Sequence, residues 1–150
     1  MKITAVMFLL WITLFAGPAP IWASLGQTTA SVAADQRQMS GELRSTIRSG
    51  YTMHEITSAN GARVREYVSP SGVVFGVAWS GPFMPNLSQL LGSYFSEFQQ
   101  ATQSTPGRRR ALAIDTGKLV VESTGHVRSF HGRAYVPGLL PQNISAEVVQ

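Results

Sequence analysis

Residues 51–79 read YTMHEITSANGARVREYVSPSGVVFGVAW, and this stretch decides the fold. It holds three runs rich in Val, Tyr, Thr, Phe and Trp: Tyr51–Thr57, Ala62–Val68 and Val73–Trp79. Such residues suit pleated, half-buried strands. Asn60-Gly61 separates the first two runs, and both residues tolerate positive φ at small cost. Ser69-Pro70-Ser71-Gly72 separates the second and third. There Pro70 presets φ and Gly72 accepts the left-handed conformation. The stretch therefore predicts an antiparallel β-meander.

Charge selects the register of the first hairpin. A two-residue loop would set Glu55 against Glu66, and like charges directly opposed are destabilising. A three-residue loop pairs Glu55 with Arg65, Ile56 with Val64 and His54 with Glu66. The same loop length at the second turn pairs Val68 with Val74, Tyr67 with Phe75 and Glu66 with Gly76. One face then carries His54, Ile56, Val64, Glu66, Val68, Val74, Gly76 and Ala78, small enough on the third strand for a helix to approach. The other carries Met53, Tyr67, Phe75, Val77 and Trp79 beside Glu55, Arg63 and Arg65. The third strand is apolar on both faces, which places it centrally.

Outward from the meander, Asn86 opens an amphipathic helix. Asn86 is a good N-cap, Gln89 follows at capping-box spacing, and Leu87, Leu90, Leu91, Tyr94, Phe95 and Phe98 recur at helical period. Asp35 is expected to cap a short helix through Met39. Leu119–Ser123 and His126–Val136 read as a C-terminal hairpin turning at Thr124-Gly125. The fold class expected is α+β: the meander, one amphipathic helix packed on it, and a C-terminal β-hairpin extending the sheet.

Lys2 followed by the apolar run Ile3–Ala16, broken by Gly17, Pro18 and Pro20, reads as a signal peptide ending at Ala23. Residues 24–150 then form a single domain, with Ser24–Ala34 as a loose arm. The expected location is the periplasm or the medium, with no stable membrane span after cleavage. The chain has no cysteine, which removes disulfides, thiol nucleophiles and Cys-bearing metal or lipid-anchor sites. Twelve basic and 8 acidic residues give a net charge of +4. An exported protein with so mild an excess is not expected to take a nucleic acid as partner; an envelope protein, a glycan or an anionic surface suits it better.

The stretches YTMHEIT, NGARVREYVSPSGVVFGVAW, LSQLLGSYF and HVRSFHGRAYVPGLLP, together with the export signal and Ser24-Leu25-Gly26, carry a resemblance. The chain resembles a family of exported Gram-negative proteins, frequent in Burkholderia-like organisms, described as a domain of unknown function. The resemblance implies an exported single-domain protein and supplies no activity or site.

No G-x-S-x-G elbow, phosphate loop or paired-carboxylate motif is present. His126 and His131, five apart on one expected strand, point to opposite faces and do not share a metal. His54, Glu66 and His131 compose an alternative site for a small hydrolase or metal-dependent enzyme, provided they converge. The leading expectation is a non-enzymatic binding module without cofactor or metal, its surface formed by Arg63, Arg65, Tyr67 and Trp79. Arg63 falls opposite Trp79 in the expected register, within reach of a cation–π contact. Arg108–Arg110 is a second cationic patch. A third reading is an envelope structural or stress protein whose exposed arm, Ser24–Ala34, touches the wall or outer membrane.

Overall fold

The computed structural model describes residues 25–104 and 111–150, so the signal-peptide segment and Arg108–Arg110 lie outside the described residues. Seven strands form one antiparallel sheet: β1 (Glu42–Arg48), β2 (Tyr51–Thr57), β3 (Arg63–Val68), β4 (Val74–Gly81), β5 (Ala111–Asp115), β6 (Val120–His126) and β7 (Ser129–Tyr135). Their order is β1-β2-β3-β4-β7-β6-β5. The meander supplies one half, the C-terminal strands the other, and β4 sits in the middle, as its two apolar faces require.

The first hairpin has the charge-selected register, with Glu55 opposite Arg65 and His54 opposite Glu66. The second departs from expectation after one pair. Val68 faces Val74, but a β-bulge follows, so Tyr67 faces Gly76 and Glu66 faces Val77. One extra residue on β4 inverts which face its later side chains occupy. Val77 and Trp79 go to the helix-covered face, while Gly76 and Ala78 join Tyr67 on the other. Arg63 consequently faces Ser80, not Trp79, and no Arg63–Trp79 stacking forms.

Three helices cover the first face: α1 (Ala30–Met39), α2 (Leu87–Leu91) and α3 (Phe95–Ser104). Their apolar residues join Val64, Val68, Val74, Val77, Trp79, Ile114, Leu119, Val121, Ala134 and Val136 in the main core. The Asn86 side chain caps α2 by accepting from the Ser88 and Gln89 amides. The expected single helix is divided, because Gly92 takes φ 51° and a 3-10 turn, Gly92–Tyr94, separates α2 from α3. Gln89 does not complete a capping box; its amide donates to Asp35.

The N-terminal stretch is not a loose arm. Leu25 is fully buried, Thr28 bridges Val73, and the Gly26 amide donates to the Val74 carbonyl at 2.8 Å. Helix α1 begins at Ala30, so Asp35 sits inside it and is buried. The stretch is thus pinned at Leu25, Ser31 and Val32, while Gln27, Thr28, Thr29 and Ala30 stay exposed. In the C-terminal half the turn falls at Val127-Arg128, where Arg128 adopts φ 65°, and β6 runs on through His126. The tail folds back over the second face. Its Val148, Val149 and Ile144 pack on Tyr67, Phe75 and Ala78.

Candidate functional site

Direct cross-strand partners share a face, so the register lays out the second face as rows. One row runs Arg63–Ser80–His131–Thr124–Ala111. The next runs Glu55–Arg65–Ala78–Arg133–Glu122–Ala113. The third contains Tyr67, Gly76 and Tyr135, and the tail covers it. Gly76 permits that cover: a Cβ there would meet Val149 Cγ2 at 2.6 Å. Beside the tail, with Gln150 in its lining, a groove of about 610 Å3 opens over the first two rows. Small residues make its floor because β4, β7 and β5 present Ala78, Ser80, Gly132, Ala111 and Ala113 to it.

The cations along this groove differ in how fully they are engaged. Arg65 Nε donates to Glu55 at 2.8 Å and its Nη1 to the Gln150 carbonyl at 2.9 Å. Arg133 Nε donates to Glu122 at 2.8 Å, and its Nη1 reaches the Val149 carbonyl at 3.3 Å. The Glu122 carboxylate beside it raises the Arg133 pKa. Arg63 has a looser ion pair, 3.8 Å to the same Glu55 oxygen, with 45 % of its side chain exposed. Tyr67 donates its hydroxyl to the Gln150 carbonyl at 2.6 Å, and burial raises its pKa despite that bond.

Of the four residues expected to form a binding surface, the structure brings together Arg63, Arg65 and Tyr67. Trp79 lines the groove beside Arg63 and Arg65, but it is 3 % exposed and its side chain packs in the main core next to Gly132, where a Cβ would meet the Trp79 ring at 2.3 Å. Tyr67 is buried beneath the tail and serves as an anchor for it. Arg63 and Arg65 line the groove. His131, expected opposite His126 in facing, lies on the same hairpin face as His126, because the turn at Val127-Arg128 puts them on partner strands.

The alternative trio does not converge. His54 and Glu66 are opposed on the helix-covered face, whereas His131 shares its row with Arg63 on the other. His54 Nδ1 instead lies 2.8 Å from Ser45 Oγ, and burial lowers its pKa. Among the described residues, no three His, Cys, Asp or Glu side chains gather in a metal-holding group.

A second cluster escaped the sequence reading. Asp35 of α1 and Glu66 of β3 are each 1 % exposed, and Gln89 of α2 closes over them. One Asp35 oxygen accepts from Gln89; the other, and both Glu66 oxygens, have no conventional donor. Burial and the neighbouring Asp35 carboxyl push the Glu66 pKa well above the ordinary carboxylate range. Burial likewise raises Asp35, partly offset by the Gln89 bond. Two buried acids side by side disfavour each other's ionisation. Glu66 was legible as buried from the Val64-x-Glu66-x-Val68 alternation. Asp35 was not, because nothing local shows which face of α1 meets the sheet.

A family model described as "Protein of unknown function (DUF2844)" matches residues 22–149. No curated protein and no solved structure matches the chain. The family match spans nearly the whole sequence, and the chain belongs to that family.

Proposed function

We propose that this member of the DUF2844 family is an exported, non-enzymatic binding module whose ligand site is the groove beside Arg63 and His131. The unequal engagement of the groove's arginines supports the reading. Arg65 and Arg133 are each locked to a glutamate and a tail carbonyl. Arg63 keeps donors to spare at a half-exposed rim. An incoming anion can take those donors without stripping a partner from a buried charge. The floor of Ala78, Ala111 and Ala113 offers apolar surface instead of polar partners. The chemistry that fits is an apolar body carrying one anionic group, of a size that a cavity of this volume accommodates. Export, expected from Met1–Ala23, would deliver the groove to the envelope, where such amphiphiles occur.

The test uses a fluorescent polyene fatty acid and its uncharged methyl ester as probes. The acid should bind saturably and the ester more weakly. Arg63→Ala should weaken the acid roughly tenfold, the scale of one charge-assisted hydrogen bond. Ala113→Trp, at an exposed position on the groove floor, should exclude both probes. Absence of binding, or binding that neither variant changes, overturns the proposal.

A further inference from the structure

Strand β1 reads Glu42-Leu43-Arg44-Ser45-Thr46-Ile47-Arg48 and lies at the sheet's edge, paired on one side only. The opposite edge, β5, is shorter and has α3 packed against it. Edge strands of natural sheets are ordinarily blunted by prolines, bulges, brevity or charged side chains. Of these strand β1 has charge alone, at Glu42, Arg44 and Arg48, and its seven residues pair with β2 in unbroken register. Ile47 at its centre-right is 85 % exposed, one of the large apolar side chains left in water among the described residues.

The turn after β1 determines which backbone groups are available. Ser49 and Gly50 alone separate Arg48 from its partner Tyr51. The pair closing a two-residue loop exchanges both of its hydrogen bonds, and hydrogen-bonded and open pairs alternate from there. Arg48, Thr46, Arg44 and Glu42 therefore turn their N–H and C=O groups toward β2. Leu43, Ser45 and Ile47 turn theirs outward, to a position where a further strand would bond.

The outward row is self-complementary. Antiparallel pairing of two β1 strands about Ser45 sets Leu43 against Ile47, Ser45 against Ser45, and Ile47 against Leu43. All three are pairs of outward-bonding residues, so six backbone hydrogen bonds form. On the other face the same register sets Glu42 against Arg48 at both ends and Arg44 against Thr46. No like charges are directly opposed. The two neighbouring registers with the same bonding parity do oppose them. Centring on Arg44 sets Arg44 against Arg44, and centring on Thr46 sets Arg44 against Arg48. Cross-strand charge thus selects one register, as it does within the chain at Glu55 and Arg65.

We infer that a second copy of this chain docks on β1 in this register, joining two sheets across a two-fold axis. The exposed Ile47 of each copy then lies on Leu43 of the other, at the border of the main core that Leu43 already flanks. The interface is isologous and uses no residue of the ligand groove.

Residues 24–150 carry every described element and are the protein to test. Sedimentation equilibrium across a dilution series should give a dimer mass that dissociates on dilution. Ile47→Lys should yield a monomer with unchanged melting temperature when dilute, because the side chain is exposed. Glu42→Arg and Arg48→Glu should each weaken the dimer, and the double swap should restore it. Since the chain has no cysteine, Ser45→Cys should form a symmetric disulfide under mild oxidation. Thr46→Cys should not, its two copies being more than about 7 Å apart in this register. A chain that stays monomeric throughout the series, a dimer indifferent to Ile47→Lys, or cross-linking equally through Thr46→Cys overturns the inference.

Discussion

The two faces of the sheet are made by the same strands yet are finished differently. On the helix-covered face, Val64, Val68, Val77, Trp79 and Val121 are buried under three helices, and the charges left there are an acid pair. On the other face, arginines alternate with alanines, and a short tail covers one end. The first face is closed by volume. The second is closed only as far as the tail reaches, held by bonds from Tyr67, Arg65 and Arg133 to its carbonyls. The contrast teaches that burial on this sheet follows the covering elements, and that the open end is where chemistry remains available.

Truncation on the closed face should cost most. Trp79→Ala removes a large side chain that is 3 % exposed, and a loss of about 3–5 kcal/mol is expected in urea unfolding. A loss under about 1 kcal/mol would mean the helix layer collapses readily into the void. On the tail face, Val149→Ala should cost less, about 1.5–3 kcal/mol. It should also speed limited proteolysis within the tail, which Trp79→Ala short of unfolding should not do. Equal costs for the two would erase the distinction between the faces.

The acid pair separates the faces by pH. Glu66 and Asp35 have raised folded-state pKa values. The folded chain therefore binds more protons than the unfolded chain above the ordinary carboxylate pKa, and stability falls as pH rises toward the raised values. Glu66→Gln should flatten that fall and stabilise the alkaline side by about 1–3 kcal/mol, the cost of a buried group left unpaired. A wild-type profile already flat from pH 5 to pH 9, a window of about four units, would count against raised pKa values for the pair. Smallest of all, Arg63→Ala should change stability by no more than about 0.5 kcal/mol, since thermal melts sense little at a half-exposed rim.

Much of this was readable in advance from local chemistry. Asn60-Gly61 and the Glu55–Arg65 charge match gave the first hairpin its register, and Asn86 marked the start of α2. Errors arose where distant residues decide the outcome. The β4 bulge has no marker in Val73–Trp79: Phe75 is displaced because Tyr67 and the tail make a pocket for it, and Trp79 changes face in consequence. The stretch from Leu25 into α1 was misjudged because its apolar side chains, Leu25 and Val32, are few and become core only when packed with distant residues such as Leu90. The candidate surface inherited the error: Arg63, Arg65 and Trp79 all line the groove, but the Trp79 side chain is buried in the main core.

By itself, then, the amino-acid sequence determined the α+β class, the central place of β4, the first hairpin's pairing and the helix after Asn86. These follow from turn residues, alternation and neighbouring charge, all of which act over a few positions. Only the tertiary structure decided the face of Trp79, the seat of Asp35 against Glu66, and the groove bordered by Gln150. Those depend on which segments far apart in the chain compete to cover the same sheet, and packing volume, not local propensity, settles that competition.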